Sequence, residues 1–82
     1  MTQSELLDRL AGWIGEITEA DKPALAAETH LVEDLGLDSL ALAELAARVR
    51  RELGLKLKPG ELRTDLRAGA VADFILAKQA GG

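Results

Sequence analysis

The chain of 82 residues contains no cysteine and no tyrosine, one tryptophan, one phenylalanine and two prolines. The lack of cysteine excludes a disulfide framework and a thiolate zinc site. With Trp13 and Phe74 as the whole aromatic complement, the core must be built from Leu, Ile, Val and Ala, which favours helices over a sheet sandwich. No apolar run approaches the roughly 20 residues of a membrane span, and Met1–Ser4 is not the basic start of a signal peptide. These absences lead to the expectation of a soluble cytoplasmic protein without a membrane partner. From Met1 to Gly81-Gly82 the chain reads as one free-standing domain, residues 1–82, with an ordered part of about 3–78. A chain this short has a core near the lower limit for folding alone.

Basic residues are scarce in the first half. Residues 1–47 hold ten acids against Arg9 and Lys22, whereas residues 48–82 hold eight bases and four acids, for a net charge of −4. An acidic front half, and a basic second half without interleaved aromatics, argue against nucleic acid as a partner.

What is present is helical periodicity. Thr2-Gln3-Ser4-Glu5 matches a capping box, and Leu6, Leu7, Leu10, Ile14 and Ile17 follow at helical spacing, so a first helix runs to about Thr18. Trp13 belongs to the core of that helix, while Gly12 and Gly15 weaken it by about 1 kcal/mol each. Asp21-Lys22-Pro23 breaks the pattern and opens a long connection over residues 19–37. So long a loop must be tied down or functional, and Leu25, Leu31, Val32, Leu35 and Leu37 are its expected anchors. Gly36 is expected to supply a turn that other residues resist.

A second helix begins after Asp38 as N-cap and runs to about Leu53, stopped by Gly54. Leu42, Leu45, Ala46, Val49 and Leu53 form its core stripe. Its other side carries Leu40, Glu44, Ala47, Arg48 and Arg51, with Ala43 at the margin. A short helical piece is expected around 61–67, and a last helix from about Gly69 to Lys78 with Val71, Phe74 and Ile75 buried. The predicted fold is all-α: a small bundle of three main helices plus one short helix, with a long loop between helices one and two.

Ser39 stands on the first turn of helix two, where backbone N–H groups lack partners and the macrodipole favours a bound or attached phosphate. In a chain with little other chemistry, that placement suggests an attachment point. His30 and Asp34 do not make a catalytic triad with Ser39, because no Gly-x-Ser-x-Gly elbow accompanies them and so small a domain has little room for a substrate pocket. Glu33, Asp34 and Asp38 lack a calcium-loop pattern and read as solvated carboxylates, so no metal site is expected.

Leu35-Gly36-Leu37-Asp38-Ser39-Leu40, the approach Thr29-His30-Leu31-Val32-Glu33-Asp34, Glu44-Leu45 and the later Val71-Ala72-Asp73-Phe74-Ile75 together resemble the acyl carrier protein family. The resemblance extends over nearly the whole chain. It implies that Ser39 takes a 4′-phosphopantetheine group from coenzyme A through a phosphopantetheinyl transferase, and that the group's thiol carries acyl intermediates as thioesters. It implies that Asp38 caps the helix and contacts the transferase. The expected partners are acyl-loading and acyl-processing enzymes such as a ketosynthase or acyltransferase, docking on Leu40, Ala43, Glu44, Ala47 and Arg51. By the same analogy a growing chain folds into the bundle near Leu62 and Leu66. The protein would then be a monomeric carrier and not itself an enzyme.

Arg48, Arg50 and Arg51 depart from the acidic second helix common in the family, which leans the reading towards polyketide or other specialised biosynthesis over housekeeping fatty-acid synthesis. Two alternatives stay open: a peptidyl or aminoacyl carrier of a nonribosomal peptide-type pathway, and an unmodified helical protein-interaction module.

Overall fold

In the computed structural model, which describes residues 1–57 and 65–81, three helices are found: α1 (Gln3–Thr18), α2 (Ser39–Leu53) and α3 (Ala68–Ala80). α1 packs against both of the others. The architecture is the expected all-helical bundle. The short fourth helix falls mainly on residues 61–64, outside the described residues; of its expected end, Asp65 and Leu66 are not helical and Arg67 is extended at φ −71°, ψ 139°.

Helix α1 starts as its sequence dictates. The Thr2 hydroxyl accepts from the Glu5 N–H, and the Glu5 carboxylate returns to accept from the Thr2 N–H, closing the capping box. Those hydrogen bonds to Thr2 hold the Glu5 carboxyl below its ordinary range. Leu6, Leu7, Leu10, Trp13 and Ile14 are buried, with Ile17 packed at the edge of the same cluster. The core is completed by Leu31, Leu37, Leu45, Val49, Leu57, Val71 and Ile75. Gly15 has a packing role: a Cβ there would lie 3.2 Å from both the Ala20 carbonyl and the Lys22 Cα, so the glycine lets the chain leaving α1 cross close over it.

The twenty residues between α1 and α2 are fastened at several points. Leu31 and Leu37 are buried, and each is worth about 1.5–3 kcal/mol on full burial. Together they exceed the roughly 2.7 kcal/mol that the length-dependent term assigns to closing a loop of that size. Leu25 and Leu35 pack against the core more partially. Val32 does not anchor the loop: it is 37% exposed, because residues 31–35 coil into a turn that directs Leu31 inward and leaves position 32 on the outside.

The loop also caps α3. Arg67, the N-cap, makes no side-chain cap hydrogen bond, and the loop supplies the missing acceptors. The Ala68 N–H donates to the Thr29 carbonyl at 2.7 Å and the Gly69 N–H to the Ala27 carbonyl at 2.9 Å, while the Leu31 N–H donates to the Leu66 carbonyl at 2.9 Å. Arg67 in turn grips Asp65 through its guanidinium and its backbone N–H, and holds that carboxyl down to about 2. Helix α3 buries Val71 and Ile75 as expected. Phe74 is only half-buried, with the Lys78 ammonium 5.7 Å from its ring centroid.

Candidate functional site

The segment leading into α2 is shaped by three neighbouring residues with different tasks. Gly36 adopts φ +71°, a left-handed conformation that L side chains resist, and turns the chain towards the helix. Leu37 is buried and pegs the turn to the core, its N–H donating to the Leu31 carbonyl at 3.1 Å. Asp38 is the N-cap, extended at φ −92° and ψ −178°, with its carboxylate accepting from the Ala41 N–H at 2.8 Å. At the other end Gly54 closes α2 in a left-handed conformation at φ +65°.

This leaves Ser39 as the first helical residue, exposed, its hydroxyl without a partner among the described residues. The Asp38 carboxylate occupies one of the orphan donors of the helix start. The N–H groups of Ser39 and Leu40 have no acceptor among the described residues. A phosphate on the Ser39 oxygen would stand beside open donors at the positive end of a 15-residue helix, an effect on the order of 0.3–1 kcal/mol at an exposed helix end.

The chain has one other serine, Ser4, also exposed and in the first turn of a helix. Their helix starts differ: at α1 the Thr2 hydroxyl and the Glu5 carboxylate close a capping box, whereas α2 is capped by the Asp38 carboxylate alone and has no acid within its first turn.

His30 sits upstream in a structural role. Its Nδ1 accepts from the Val32 and Glu33 N–H groups at 3.2 and 3.0 Å, and its backbone N–H donates to the Asp34 carboxylate at 2.8 Å. Through Nδ1 the ring caps the turn of residues 31–35. Among the described residues no group of three or more metal-ligating side chains comes together.

The residues expected on the outer side of α2 are mostly there. Leu40 is 68% exposed, and Ala43, Glu44, Ala47 and Arg51 are exposed as well. Beside Leu40 lies a shallow depression of about 300 Å³, with Ile17, Leu35 and Ala41 in its lining. Arg48 is the correction. It is not on the solvated face but half-buried, paired with Glu16 of α1 and, at 3.5 Å, with Glu52 one turn on. No local pattern announces the Arg48–Glu16 pair, because the two residues belong to different helices joined by the long loop. Arg50 is also engaged, donating to the Leu57 carbonyl at 3.2 Å. Leu62 lies outside the described residues, and Leu66 is half-buried.

Comparison with known proteins agrees with this arrangement. The family described as "Phosphopantetheine attachment site" matches residues 8–75. Acyl carrier protein 2 of Ralstonia nicotianae is 32% identical over 71 residues, covering 87% of this chain and 88% of that protein. The acyl carrier protein AcpXL of Rhizobium meliloti is 28% identical over 72 residues, 88% of this chain and 76% of its own length. The granaticin polyketide synthase acyl carrier protein of Streptomyces violaceoruber is 44% identical over a shorter stretch of 48 residues, 58% of this chain and 56% of that protein. A helical bundle with an exposed serine at a capped helix start, matched over most of its length, belongs to the acyl carrier protein family, whose domains bear covalently attached 4′-phosphopantetheine.

Proposed function

We propose that Ser39 is the attachment residue and that the chain is a cytoplasmic, monomeric acyl carrier serving a polyketide or other specialised biosynthetic pathway. The observation that carries the reading is Ser39 itself: exposed, first in α2, beside an Asp38 cap that leaves two backbone donors open. The prosthetic group supplies a thiol that holds acyl cargo as a thioester, which explains how a chain without cysteine can do thiol chemistry. The protein's own contribution is to present the serine. Gly36, Leu37 and the Asp38 cap fix the start of α2, and the exposed hydroxyl needs no activation from within the chain. The base and metal for the transfer come from the phosphopantetheinyl transferase, and Asp38 is the residue of this chain placed to meet it. In that transfer the Ser39 oxygen replaces the nucleotide on the coenzyme A phosphate, and its proton passes to the transferase's base.

The choice of pathway is supported by the granaticin synthase relative and by the arginines of α2. Acyl-loading enzymes such as an acyltransferase, and processing enzymes such as a ketosynthase, are the partners this reading names. The test is intact mass after incubation with coenzyme A and a broad-specificity transferase. The wild type should gain one prosthetic group and Ser39→Ala none. A wild type that gains no mass refutes the reading, and a Ser39→Ala protein that still gains it moves the site elsewhere. Offering the loaded protein to acyltransferases and to adenylating enzymes then separates acyl from aminoacyl cargo.

A further inference from the structure

The outer face of α2 carries residues 40, 44, 47 and 51, spaced so that all four fall on one line down the helix, opposite the buried Leu45 and Val49. Read away from Ser39, the line is apolar, anionic, small and cationic: Leu40, Glu44, Ala47, Arg51. The neighbouring arginines are withdrawn from it, Arg48 towards Glu16 and Arg50 towards the Leu57 carbonyl. Arg51 is left projecting, its side chain 72% exposed and its one ion pair among the described residues a 3.9 Å approach to Glu52. At about 1.5 Å rise per residue, Leu40 and Arg51 are about 16 Å apart along the axis and Glu44 and Arg51 about 10 Å.

We infer that this ordered line is the specificity code of the docking surface, and that it fits an enzyme surface carrying the complementary order. Moving away from the opening that receives the Ser39 arm, that surface offers an apolar side chain, then a cation, then a carboxylate about 10 Å further along. The apolar member seats against Leu40 and the depression beside it, the cation faces Glu44, and the carboxylate meets Arg51. Ala47 keeps the middle of the line low enough for the two surfaces to close. A partner with a uniformly basic docking patch is rejected, because its far end would set like charge against Arg51. The inference rests on the carrier reading above and deepens it by naming the kind of surface its partners present.

The decisive variant is Glu44→Arg combined with Arg51→Glu, which reverses the order of charge while leaving composition and net charge unchanged. Protein carrying the prosthetic group, verified by intact mass and by unchanged helix content in circular dichroism, is offered to an acyltransferase chosen because it loads the wild type. Initial rates are measured against carrier concentration at low and moderate salt. The double variant should raise KM for the carrier about tenfold with little change in kcat, Arg51→Gln should raise it less, and Arg51→Lys should stay near wild type. The difference between double variant and wild type should shrink as salt rises. A fully loaded double variant with wild-type KM overturns the inference alone. So does a result in which Glu44→Arg accounts for the whole increase and Arg51→Glu for none. A wild type that takes no prosthetic group overturns the carrier reading and this inference with it.

Discussion

Substituting Gly69 by alanine tests how the long loop is held to α3, and the outcome can be worked from contact distances. A Cβ at position 69 would stand 2.7 Å from the Ala27 Cβ and 3.0 Å from the Ala27 Cα and carbonyl oxygen. These neighbours are backbone or fixed to it, so the loop itself must retreat. Retreat strains the Gly69 N–H bond to the Ala27 carbonyl, now 2.9 Å. Overpacking of this kind costs about 1–3 kcal/mol and the weakened hydrogen bond about 0.5–1.5 kcal/mol. Helix propensity returns about 1 kcal/mol when glycine becomes alanine inside a helix. The balance is a destabilisation of about 0.5–3.5 kcal/mol. Gly12→Ala is the control, because it is the same chemical change at a helical position where a Cβ meets nothing within 4 Å. That variant keeps only the propensity gain and should be more stable by about 0.5–1 kcal/mol, a rise in Tm of roughly 3–6 °C for a domain of this size. Urea denaturation followed by the fluorescence of Trp13, buried and the sole tryptophan, measures both. A Gly69→Ala protein as stable as wild type would refute the claim that α3 and the loop meet too closely for a side chain.

Three further outcomes follow from the same geometry. Asp38→Ala should lose about 0.5–2 kcal/mol of stability by removing the cap of α2, and should slow modification by the transferase more than that loss explains, as read from time courses of mass gain at a temperature where the variant remains folded. His30→Ala removes the acceptor of the Val32 and Glu33 N–H groups and should destabilise the protein by about 1–2 kcal/mol in urea titrations, with amide exchange at those two residues accelerated. Asp65, held down to about 2 by Arg67 against an ordinary 3.8, favours folding while it is ionised: its contribution is complete above about pH 4 and lost as pH falls through about 2. Asp65→Asn should therefore flatten part of the acid limb of the stability–pH profile and leave its slope near neutrality unchanged.

Much of the molecule follows from local rules. The Thr2 capping box, the Asp38 cap, the Gly54 stop and the apolar stripes of α1 and α2 each depend on residues within a turn or two of one another, so their spacing determines them. The positive φ of Gly36 and the exposure of Ser39 belong to the same class, and the candidate attachment site was legible for that reason. Other features are set by residues far apart in the chain. Val32 reads as an anchor from its apolar side chain, yet the fold of residues 31–35 leaves the inward position to Leu31 and turns Val32 out. Gly69 and Ala27 approach because the loop carbonyls cap α3, a need created only when Arg67 provides no side-chain cap. The arginines of α2 show the division most clearly. Sequence alone places Arg48, Arg50 and Arg51 on one basic helix end and marks them as a departure from the family. Only packing against α1 draws Arg48 to Glu16, and only the chain after Gly54 brings the Leu57 carbonyl to Arg50, leaving Arg51 to project. The sequence by itself determined that a serine is presented at a capped helix start. Tertiary structure decided which charges stand beside it, because a charge is free to meet a partner only where no other part of the fold has already engaged it.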